Sequence, residues 1–300
     1  MNSTASPLSV ELSGVSVRYG RTTALRDVNL HIPAGSITGL LGRNGSGKTT
    51  LLSLLASFRR PNGGTVLVDG EDPFENQRMM ERVCLIRESG DLLRDERIAV
   101  NLRHAADSRP LWDDDLAGRA LEMFQLDSRR IVSRLSRGQR SAFGAVIGLA
   151  ARAPLTMLDE AHLGLDAPSR YAFYDLLLED YLAHPRTFIL SSHLISEIEQ
   201  LLEHVVILDQ GGVLAAEPAE DLRGRGLQAT GRSEDLEAVL HGLNHITVLS
   251  TRKLGPTSQS TLMAPPEHLA TAEAALRAAG MQTEGVALQD LFVHLTGSPA

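Results

Sequence analysis

The stretch Gly42-Arg43-Asn44-Gly45-Ser46-Gly47-Lys48-Thr49 decides how the first part of this 300-residue chain folds. It follows a short apolar segment at 36–41 and precedes an apolar run at 49–58, so it is predicted to be a loop between a buried strand and a helix. Glycines let such a loop turn sharply and bring its N–H groups against phosphate oxygens, and the helix that begins near Lys48 adds its positive N-terminal dipole. The pattern matches G-x-x-x-x-G-K-[ST] and predicts a site for the phosphates of a nucleoside triphosphate.

Two side chains at the end of this loop carry the predicted chemistry. Lys48 can reach the β- and γ-phosphates of a bound nucleotide, and the hydroxyl of Thr49 can ligate Mg²⁺. A glycine-rich turn with a chance lysine is the simpler alternative, and the flanking strand and helix weigh against it. Taken alone, the loop suits a kinase, a GTPase or a helicase equally well.

The composition is that of a globular protein with a sizeable core. Hydrophobic residues make up 43% of the chain and charged residues 22%. The net charge of −8 and the aromatic content of 4% argue against a nucleic-acid partner, because nucleic acid attracts basic surfaces and single strands stack on aromatic side chains. The single cysteine, Cys84, excludes an internal disulfide and fits a reducing compartment.

Neither a signal peptide nor a membrane span is expected. Residues 1–10 lack a basic region followed by an apolar one. The longest membrane-like stretch, residues 142–151, is about half the length that spans a bilayer, and it is predicted to be a buried helix. Membrane spans, if the protein serves a membrane, are therefore expected on another chain.

The order of the predicted elements indicates a mostly parallel α/β sheet. Apolar strands at 155–158 and 187–190 end in the polar clusters Asp159-Glu160 and Ser191-Ser192-His193. The carboxyl ends of parallel strands meet at one edge of a sheet, so these clusters are expected to lie together. After a linker at 223–226, the order strand, helix, strand, strand, helix, strand, helix predicts a small ferredoxin-like α+β domain.

Three motifs and two single residues share the order, and comparable spacing, of those in ATP-binding cassette (ABC) ATPases. With the phosphate loop, they give the chain a specific resemblance to that family over residues 8–222. They are Leu135-Ser136-Arg137-Gly138-Gln139, which resembles the LSGGQ signature; Leu155-Thr156-Met157-Leu158-Asp159-Glu160, which resembles the Walker B strand; Leu165-Asp166, which resembles the D-loop; His193, which resembles the switch histidine; and Tyr19, which resembles the adenine-stacking aromatic.

The resemblance implies a P-loop ATPase fold. This fold has a RecA-like, mostly parallel sheet core, an antiparallel β subdomain and a helical subdomain that carries the signature. Residues 1–222 would form the ATP-binding domain, and residues 227–300 the small C-terminal α+β domain. The implied cofactors are ATP and Mg²⁺.

Each candidate site residue has a role that its chemistry allows. Asp159 ends a buried strand, where it can hold Mg²⁺ together with Thr49, and Glu160 can polarise the attacking water as a general base. The residues implied in catalysis are Glu160, His193 and Lys48. Those implied in nucleotide binding are Tyr19, Gly42, Asn44, Gly45, Ser46, Gly47, Lys48, Thr49 and Thr50.

The signature predicts a second anion site. Ser136 and Gly138 begin a helix, where a hydroxyl and exposed N–H groups can bind an anion. In the family this site, which includes Gln139, faces the γ-phosphate of the opposite subunit, and the D-loop contributes Asp166. The implied assembly is a homodimer, or a heterodimer with another ATP-binding subunit. Taken singly, Ser136 could be a helix cap and His193 a surface residue; their occurrence together favours the ABC interpretation.

Two positions depart from the family pattern. Where the family has a glutamine after an apolar strand, this chain has Glu88, which is a candidate further ligand of Mg²⁺. A carboxylate there adds negative charge near the γ-phosphate, so we expect a raised Mg²⁺ requirement or an altered coupling to the partner. Where the family usually has a proline after the glutamate, this chain has Ala161-His162, which gives a DEAH string known from helicases. The single phosphate loop and the net charge count against a helicase.

The resemblance implies an ATPase subunit that dimerises on ATP and drives a separate integral-membrane permease from the cytoplasmic face of the membrane. Export of a drug, antibiotic, peptide or lipid is favoured, because the arrangement with the tail Leu288-Gln289-Asp290-Leu291-Phe292 resembles ATPases of bacterial export systems. The alternatives are an importer ATPase, a non-transport ABC ATPase of translation or DNA repair, and a module that binds ATP without hydrolysing it.

Overall fold

The computed structural model describes residues 6–87, 92–161 and 164–297. The chain divides into two compact units. The first comprises Met1–His193 and Leu201–Ala216, and the second comprises Leu194–Gln200 and Glu217–Ala300.

The first unit contains a parallel sheet, an antiparallel sheet and a group of helices. Its strands are β1 (Val10–Tyr19), β2 (Thr22–Ile32), β3 (Ile37–Gly42), β4 (Gly63–Val68), β5 (Val83–Arg87), β6 (Leu155–Asp159), β7 (Thr187–Ser192), β8 (His204–Asp209) and β9 (Gly212–Pro218). Its helices are α1 (Lys48–Leu55), α2 (Gln77–Arg82), α3 (Ile98–Ser108), α4 (Asp114–Met123), α5 (Arg137–Ala150) and α6 (Ala167–Ala183).

The parallel sheet has the strand order β5-β6-β7-β3-β8-β9. Strands β5, β6, β7, β3 and β8 all run in the same direction. Every residue of β3, β6 and β7 is buried, which is why these strands are short and mostly apolar. Their carboxyl ends bring the phosphate loop, Asp159 and His193 to the same edge of the sheet.

The antiparallel sheet has the order β2-β1-β4 and supplies the other wall of the main core. Along β1 the buried side chains alternate with exposed ones, as expected for a strand with one face against the core. Leu51, Leu52 and Leu55 of α1 are buried in the same core as residues of both sheets. Burial of each such leucine stabilises the fold by about 1.5–3 kcal/mol. The helix that follows the phosphate loop is therefore fixed on both sides.

Helix α5 connects the helical segment to the parallel sheet. Most of its residues are buried, and it packs on β5, β6 and α4. A Cβ atom added at Gly148 would lie 2.9 Å from Ile86 Cγ1, so this glycine allows α5 to approach β5 closely. The start of α5, which carries the signature sequence, is in this way fixed relative to the sheet.

The second unit is an α+β arrangement. Its elements are α7 (Ile195–Ile198), α8 (Ala219–Arg223), β10 (Gly226–Arg232), α9 (Ser233–Gly242), β11 (Thr247–Leu254), β12 (Thr257–Met263), α10 (Pro266–Ala278), β13 (Gln282–Gly285) and α11 (Leu288–Leu295). Strands β10 to β13 form an antiparallel sheet in the order β11-β12-β10-β13, and α9 and α10 pack on it around Leu236, Leu262 and Leu276. From β10 to β13 the order is β-α-β-β-α-β, which is that of the ferredoxin-like motif.

The predicted fold class is confirmed, and the differences are local. The helical run predicted at 49–58 ends at Leu55, because Ser57 takes a left-handed backbone conformation with φ of 62°. Helix α6 was not predicted. Its exposed residues Tyr171, Leu178 and Leu182 place apolar side chains on the solvent side, which weakens the 3.6-residue periodicity.

Across the three described ranges, none of the helices is both long and apolar enough to span a bilayer.

Candidate nucleotide-binding and hydrolysis site

The phosphate loop runs from the end of β3 to the start of α1. Gly47 caps the helix with φ of 109°, a conformation that disfavours other residues. A Cβ atom at this position would also lie 2.7 Å from the carbonyl oxygen of Ala24. Both observations explain why glycine is needed here. The first N–H groups of α1 have no acceptor within the helix, as an anion site requires.

Lys48 is almost fully buried and points back across the loop. Its Nζ atom donates to the carbonyl oxygens of Gly42, at 2.6 Å, and Arg43, at 3.3 Å. It also lies 3.6 Å from Glu160 Oε1. The ammonium group is thus held inside the loop, where phosphate oxygens could replace its present acceptors.

Thr49 and Asp159 meet although 110 residues separate them. The Thr49 hydroxyl donates to Asp159 Oδ2 at 2.7 Å. Within the described part of the chain, the second carboxylate oxygen of Asp159 and the hydroxyl of Ser46 are buried and accept no hydrogen bond. Buried polar atoms without a partner are costly, so these atoms fit a site where a ligand supplies the missing contacts. The hydroxyl and carboxylate oxygens are also the ligands that Mg²⁺ prefers.

Glu160 and His193 follow neighbouring strands and are joined directly. His193 Nδ1 lies 2.9 Å from Glu160 Oε2. Glu160 takes a left-handed backbone conformation, with φ of 53°, while its N–H donates to the carbonyl oxygen of Ser191 at 3.2 Å. Such a conformation in a residue other than glycine costs of the order of 1–3 kcal/mol. The contacts that hold the Glu160 carboxylate between Lys48 and His193 must therefore offset this conformational cost.

The signature residues form the start of α5. Ser136 Oγ accepts a hydrogen bond from the N–H of Gln139, and Gln139 Oε1 accepts one from the N–H of Ser136, both at 3.1 Å. This reciprocal pair is a capping box. Arg130 Nη1 donates to the same Gln139 oxygen at 3.1 Å. The helix-cap explanation of Ser136 is therefore correct as local structure, and it leaves the anion-binding prediction open.

The D-loop packs against the signature. A Cβ atom at Gly138 would lie 2.3 Å from the carbonyl oxygen of Gly164, so only glycine permits this approach. Asp166 caps α6 by accepting from the N–H of Ser169 at 2.9 Å. Hydrogen bonds from the side chain and the backbone of Ser169 lower the pKa of the Asp166 carboxyl. Asp166 is thus a carboxylate at neutral pH.

A cavity of about 310 Å³ lies between the signature, the D-loop and the end of α4. Ser136, Gly138, Gln139 and Asp166 all line it, and none of the phosphate-loop residues, all of which the structure describes, does so. The predicted site residues thus fall into two groups. One surrounds the phosphate loop, and the other surrounds the start of α5.

Tyr19 lies at the end of β1, where about half of its surface is exposed. Against the opposite effect of partial burial, the side chains of Thr50, in the first turn of α1, and of Arg59 lie near its phenol and lower the pKa of the phenol. The ring is therefore next to the phosphate loop. The guanidinium of Arg59 lies over the ring, with Cζ 4.1 Å from its centroid.

Two residues that the sequence singled out, Glu88 and His162, lie outside the described residues. Two others were missed: Arg130, which bonds to Gln139, and Arg59, which covers Tyr19. Neither arginine belongs to a recognised motif, and only the folded structure shows that each lies beside a predicted site residue. A basic residue six positions before Ser136 was the only signal for Arg130 in the sequence.

A glycine-rich loop, a buried lysine, and a Thr–Asp pair at the carboxyl edge of a parallel sheet define a P-loop nucleoside triphosphatase. A sequence profile of the ABC transporter family matches residues 25–162. Aliphatic sulfonates import ATP-binding protein SsuB 3 from Rhodococcus jostii is 32% identical over 70% of this chain and 74% of its own length. The chain therefore belongs to the ABC transporter family, as an ATP-binding, ATP-hydrolysing subunit.

Two further similarities extend this result. The daunorubicin resistance ATP-binding protein DrrA3 of Streptomyces coeruleorubidus is 29% identical over 96% of each chain. A solved structure described as the ATP-binding subunit of an ABC transporter aligns with a TM-score of 0.65 and 25% identity, covering 71% of this chain and 91% of that one. The relatives thus include proteins named for drug resistance and for import.

Proposed function

We propose that this chain binds Mg-ATP, dimerises, hydrolyses the nucleotide and drives a separate membrane permease that exports a drug, antibiotic, peptide or lipid. The observation that carries the proposal is the series of contacts from Lys48 to Glu160 to His193, beside the Thr49–Asp159 pair. Glu160 acts as the general base for the attacking water, and His193 orients it and contacts the γ-phosphate.

Magnesium would be held by the Thr49 hydroxyl and the Asp159 carboxylate. The ion would neutralise charge on the β- and γ-phosphates, while Lys48 supplies a second positive charge. The unpaired oxygen of Asp159 supports this assignment. Glu88, as a further ligand, remains a prediction from the sequence. It is tested by Glu88→Gln, and an unchanged Mg²⁺ dependence with unchanged transport would contradict it.

The two groups of site residues support a shared active site. Ser136, Gly138, Gln139 and Asp166 line a cavity away from the phosphate loop, so one copy would not use both groups on the same nucleotide. We assign the signature group to the γ-phosphate bound by a second subunit, either an identical copy or another ATP-binding subunit. ATP would then hold two subunits together, and hydrolysis would release them.

The direction of transport is inferred from how much of the chain each relative matches. The similarity to the daunorubicin resistance protein includes 96% of this chain, and so extends into residues 217–297. The sulfonate import protein matches 70% of the chain. A second unit in common with a resistance protein favours export.

We further assign residues 1–222 to the ATP-binding domain and residues 227–300 to a small C-terminal domain. The chain would lie in the cytoplasm, peripheral to the inner face of the membrane through its permease, without a nucleic-acid partner. The net charge of −8 agrees with the last point.

The first experiment tests the shared site. Purified Glu160→Gln protein, saturated with Mg-ATP, is expected to elute as a dimer by light scattering, whereas the same protein without nucleotide is expected to be monomeric. A Ser136→Ala, Glu160→Gln double variant should dimerise less. A Glu160→Gln protein that stays monomeric with Mg-ATP, even with its permease or a related subunit present, would refute the proposal.

The second experiment tests direction. In inside-out vesicles that contain the chain and its permease, ATP is expected to drive accumulation of daunorubicin, used as a fluorescent probe, and Glu160→Gln should abolish it. Accumulation of aliphatic sulfonates in right-side-out vesicles, with no daunorubicin uptake in inside-out ones, would instead establish import.

A further inference from the structure

Tyr19 has one aromatic face covered by a cation. The Cζ atom of Arg59 lies 4.1 Å from the ring centroid, within the range of a cation–π contact. About half of the surface of Tyr19 remains exposed. A planar group that stacks on this ring would therefore use the face opposite Arg59.

The segment that carries Arg59 is fixed beside the end of β1. Asn62 Oδ1 accepts from the N–H of Arg18 at 2.7 Å, and the N–H of Asn62 donates to the carbonyl oxygen of Ser16 at 2.8 Å. Arg59 Nη2 donates to the carbonyl oxygen of Arg18, at 3.5 Å. Arg59 thus contacts both the backbone and the last aromatic side chain of β1.

The phenol end of the ring lies near α1, the helix that follows the phosphate loop. The guanidinium of Arg59 lies over the ring, and the side chain of Thr50 lies near the phenol; against the opposite effect of partial burial, both lower the pKa of the phenol. The contact with Arg59 favours one orientation of the ring. A base stacking on the free face would find the ring already oriented, which lowers the entropy that binding must overcome.

We propose that Arg59 is a positioning residue for the nucleotide base: it orients Tyr19 and polarises its ring, so that an adenine base stacks on the opposite face. This inference rests on the proposed function, in which Tyr19 stacks on adenine. A cation on one face withdraws electron density from the ring and strengthens stacking of the base on the other face. Arg59 acts through Tyr19 and does not touch the phosphates.

The chain offers a matched control. Arg60, the next residue, lies over the ring of Phe74, with Cζ 4.5 Å from its centroid. Arg60 has the same charge and the same kind of contact, yet its aromatic partner has no predicted role in nucleotide binding. Removal of Arg60 therefore measures the general effect of losing one positive charge and one cation–π contact in this segment.

The experiment compares the dissociation constants of ATP and of inorganic triphosphate for the full chain, in the presence of Mg²⁺. Arg59→Ala is expected to weaken ATP binding about two- to five-fold and to leave triphosphate binding unchanged, because only ATP has a base. Arg60→Ala is expected to change neither. In a Tyr19→Ala background, Arg59→Ala should have no further effect on ATP.

Each other outcome is informative. Equal weakening of ATP and triphosphate would make Arg59 a phosphate-binding cation and overturn the inference. Unchanged or tighter ATP binding by Arg59→Ala would overturn it as well, the latter showing that Arg59 occupies the place of the base. If Tyr19→Ala itself binds ATP like the unmodified chain, the stacking role in the proposed function fails. If Tyr19→Ala weakens ATP binding and Arg59→Ala does not, only the role of Arg59 is contradicted.

Discussion

Glu160 Oε2 and His193 Nδ1 lie 2.9 Å apart at the ends of the neighbouring parallel strands β6 and β7. Glu160 follows its strand in a left-handed backbone conformation, with its carboxylate beside His193. The other carboxylate oxygen lies 3.6 Å from Lys48 Nζ. One carboxylate is therefore placed between the lysine of the phosphate loop and a histidine, as the proposed roles of these residues require.

Replacement of this carboxylate tests its role as a base. Glu160→Gln keeps the size of the side chain and removes the proton acceptor, so we expect ATP hydrolysis to fall about 10²- to 10⁴-fold, with ATP binding retained. The measurement is phosphate release at saturating Mg-ATP together with the dissociation constant of ATP. Glu122→Gln, at an exposed position of α4, should leave both unchanged. Hydrolysis by Glu160→Gln at the rate of the unmodified chain would exclude Glu160 as the base.

The close approach of the signature to the D-loop predicts a second effect. Gly138→Ala places a Cβ atom 2.3 Å from the carbonyl oxygen of Gly164, a backbone atom that cannot rotate away. We expect a loss of about 1–3 kcal/mol in the free energy of unfolding, with displacement of the D-loop and reduced hydrolysis. Urea unfolding and phosphate release measure these effects.

The control for this substitution is another helical glycine. A Cβ atom at Gly118, in α4, meets no heavy atom within 4 Å. Gly118→Ala should therefore raise the free energy of unfolding by up to about 1 kcal/mol, because alanine favours the helix. If Gly138→Ala is as stable and as active as Gly118→Ala, the signature and the D-loop are farther apart in solution than in this structure.

The fold class followed from the sequence because the decisive residues are local signals. The glycines of the phosphate loop predict a tight loop, and the short apolar segments predict the buried strands β3, β6 and β7, each from its own residues alone. The left-handed backbone of Glu160, by contrast, is imposed by tertiary contacts, and no local pattern encodes it. Arg59 and Arg130 act through partners 40 and 9 residues away, which periodicity does not reveal.

A buried ion cluster ties α6 to the sheet. Asp180 pairs with Arg186 at 2.6 Å and with Arg152 at 2.8 Å, and both Asp180 and Arg186 are almost fully buried. Asp180→Ala leaves the buried guanidinium of Arg186 without its counter-ion, whereas Arg152 keeps Asp113 at 2.8 Å, so we expect a loss of about 3–5 kcal/mol in the free energy of unfolding. Urea denaturation measures it.

The adjacent residue provides the comparison. Glu179 pairs with Arg119 at 2.8 Å, but both side chains are more than half exposed. Exposed pairs contribute at most about 1 kcal/mol, so Glu179→Ala should lie within that limit. A loss below about 1 kcal/mol for Asp180→Ala would show that water enters and solvates Arg186.

His204 predicts how stability depends on pH. It begins β8 and is largely buried, and its Nδ1 atom has no hydrogen-bond partner within the described residues. Burial, and then the charge of His31, lower the pKa of His204 below its ordinary value. The unfolded chain, with an ordinary imidazole pKa of about 6.5, therefore takes up the proton first as pH falls. The stabilising contribution is present above that value and is lost as pH falls through the folded pKa.

We therefore expect the melting temperature to fall more steeply between pH 7.5 and pH 5 in the unmodified chain than in His204→Gln, which cannot be protonated. Carboxylates also titrate at the lower end of this range, so the informative quantity is the difference between the two slopes rather than either slope alone. His104→Gln, at an exposed position of α3, should keep the slope of the unmodified chain. Equal slopes for His204→Gln and His104→Gln would mean that folding leaves the pKa of His204 unchanged, and that the imidazole is solvated in the folded chain.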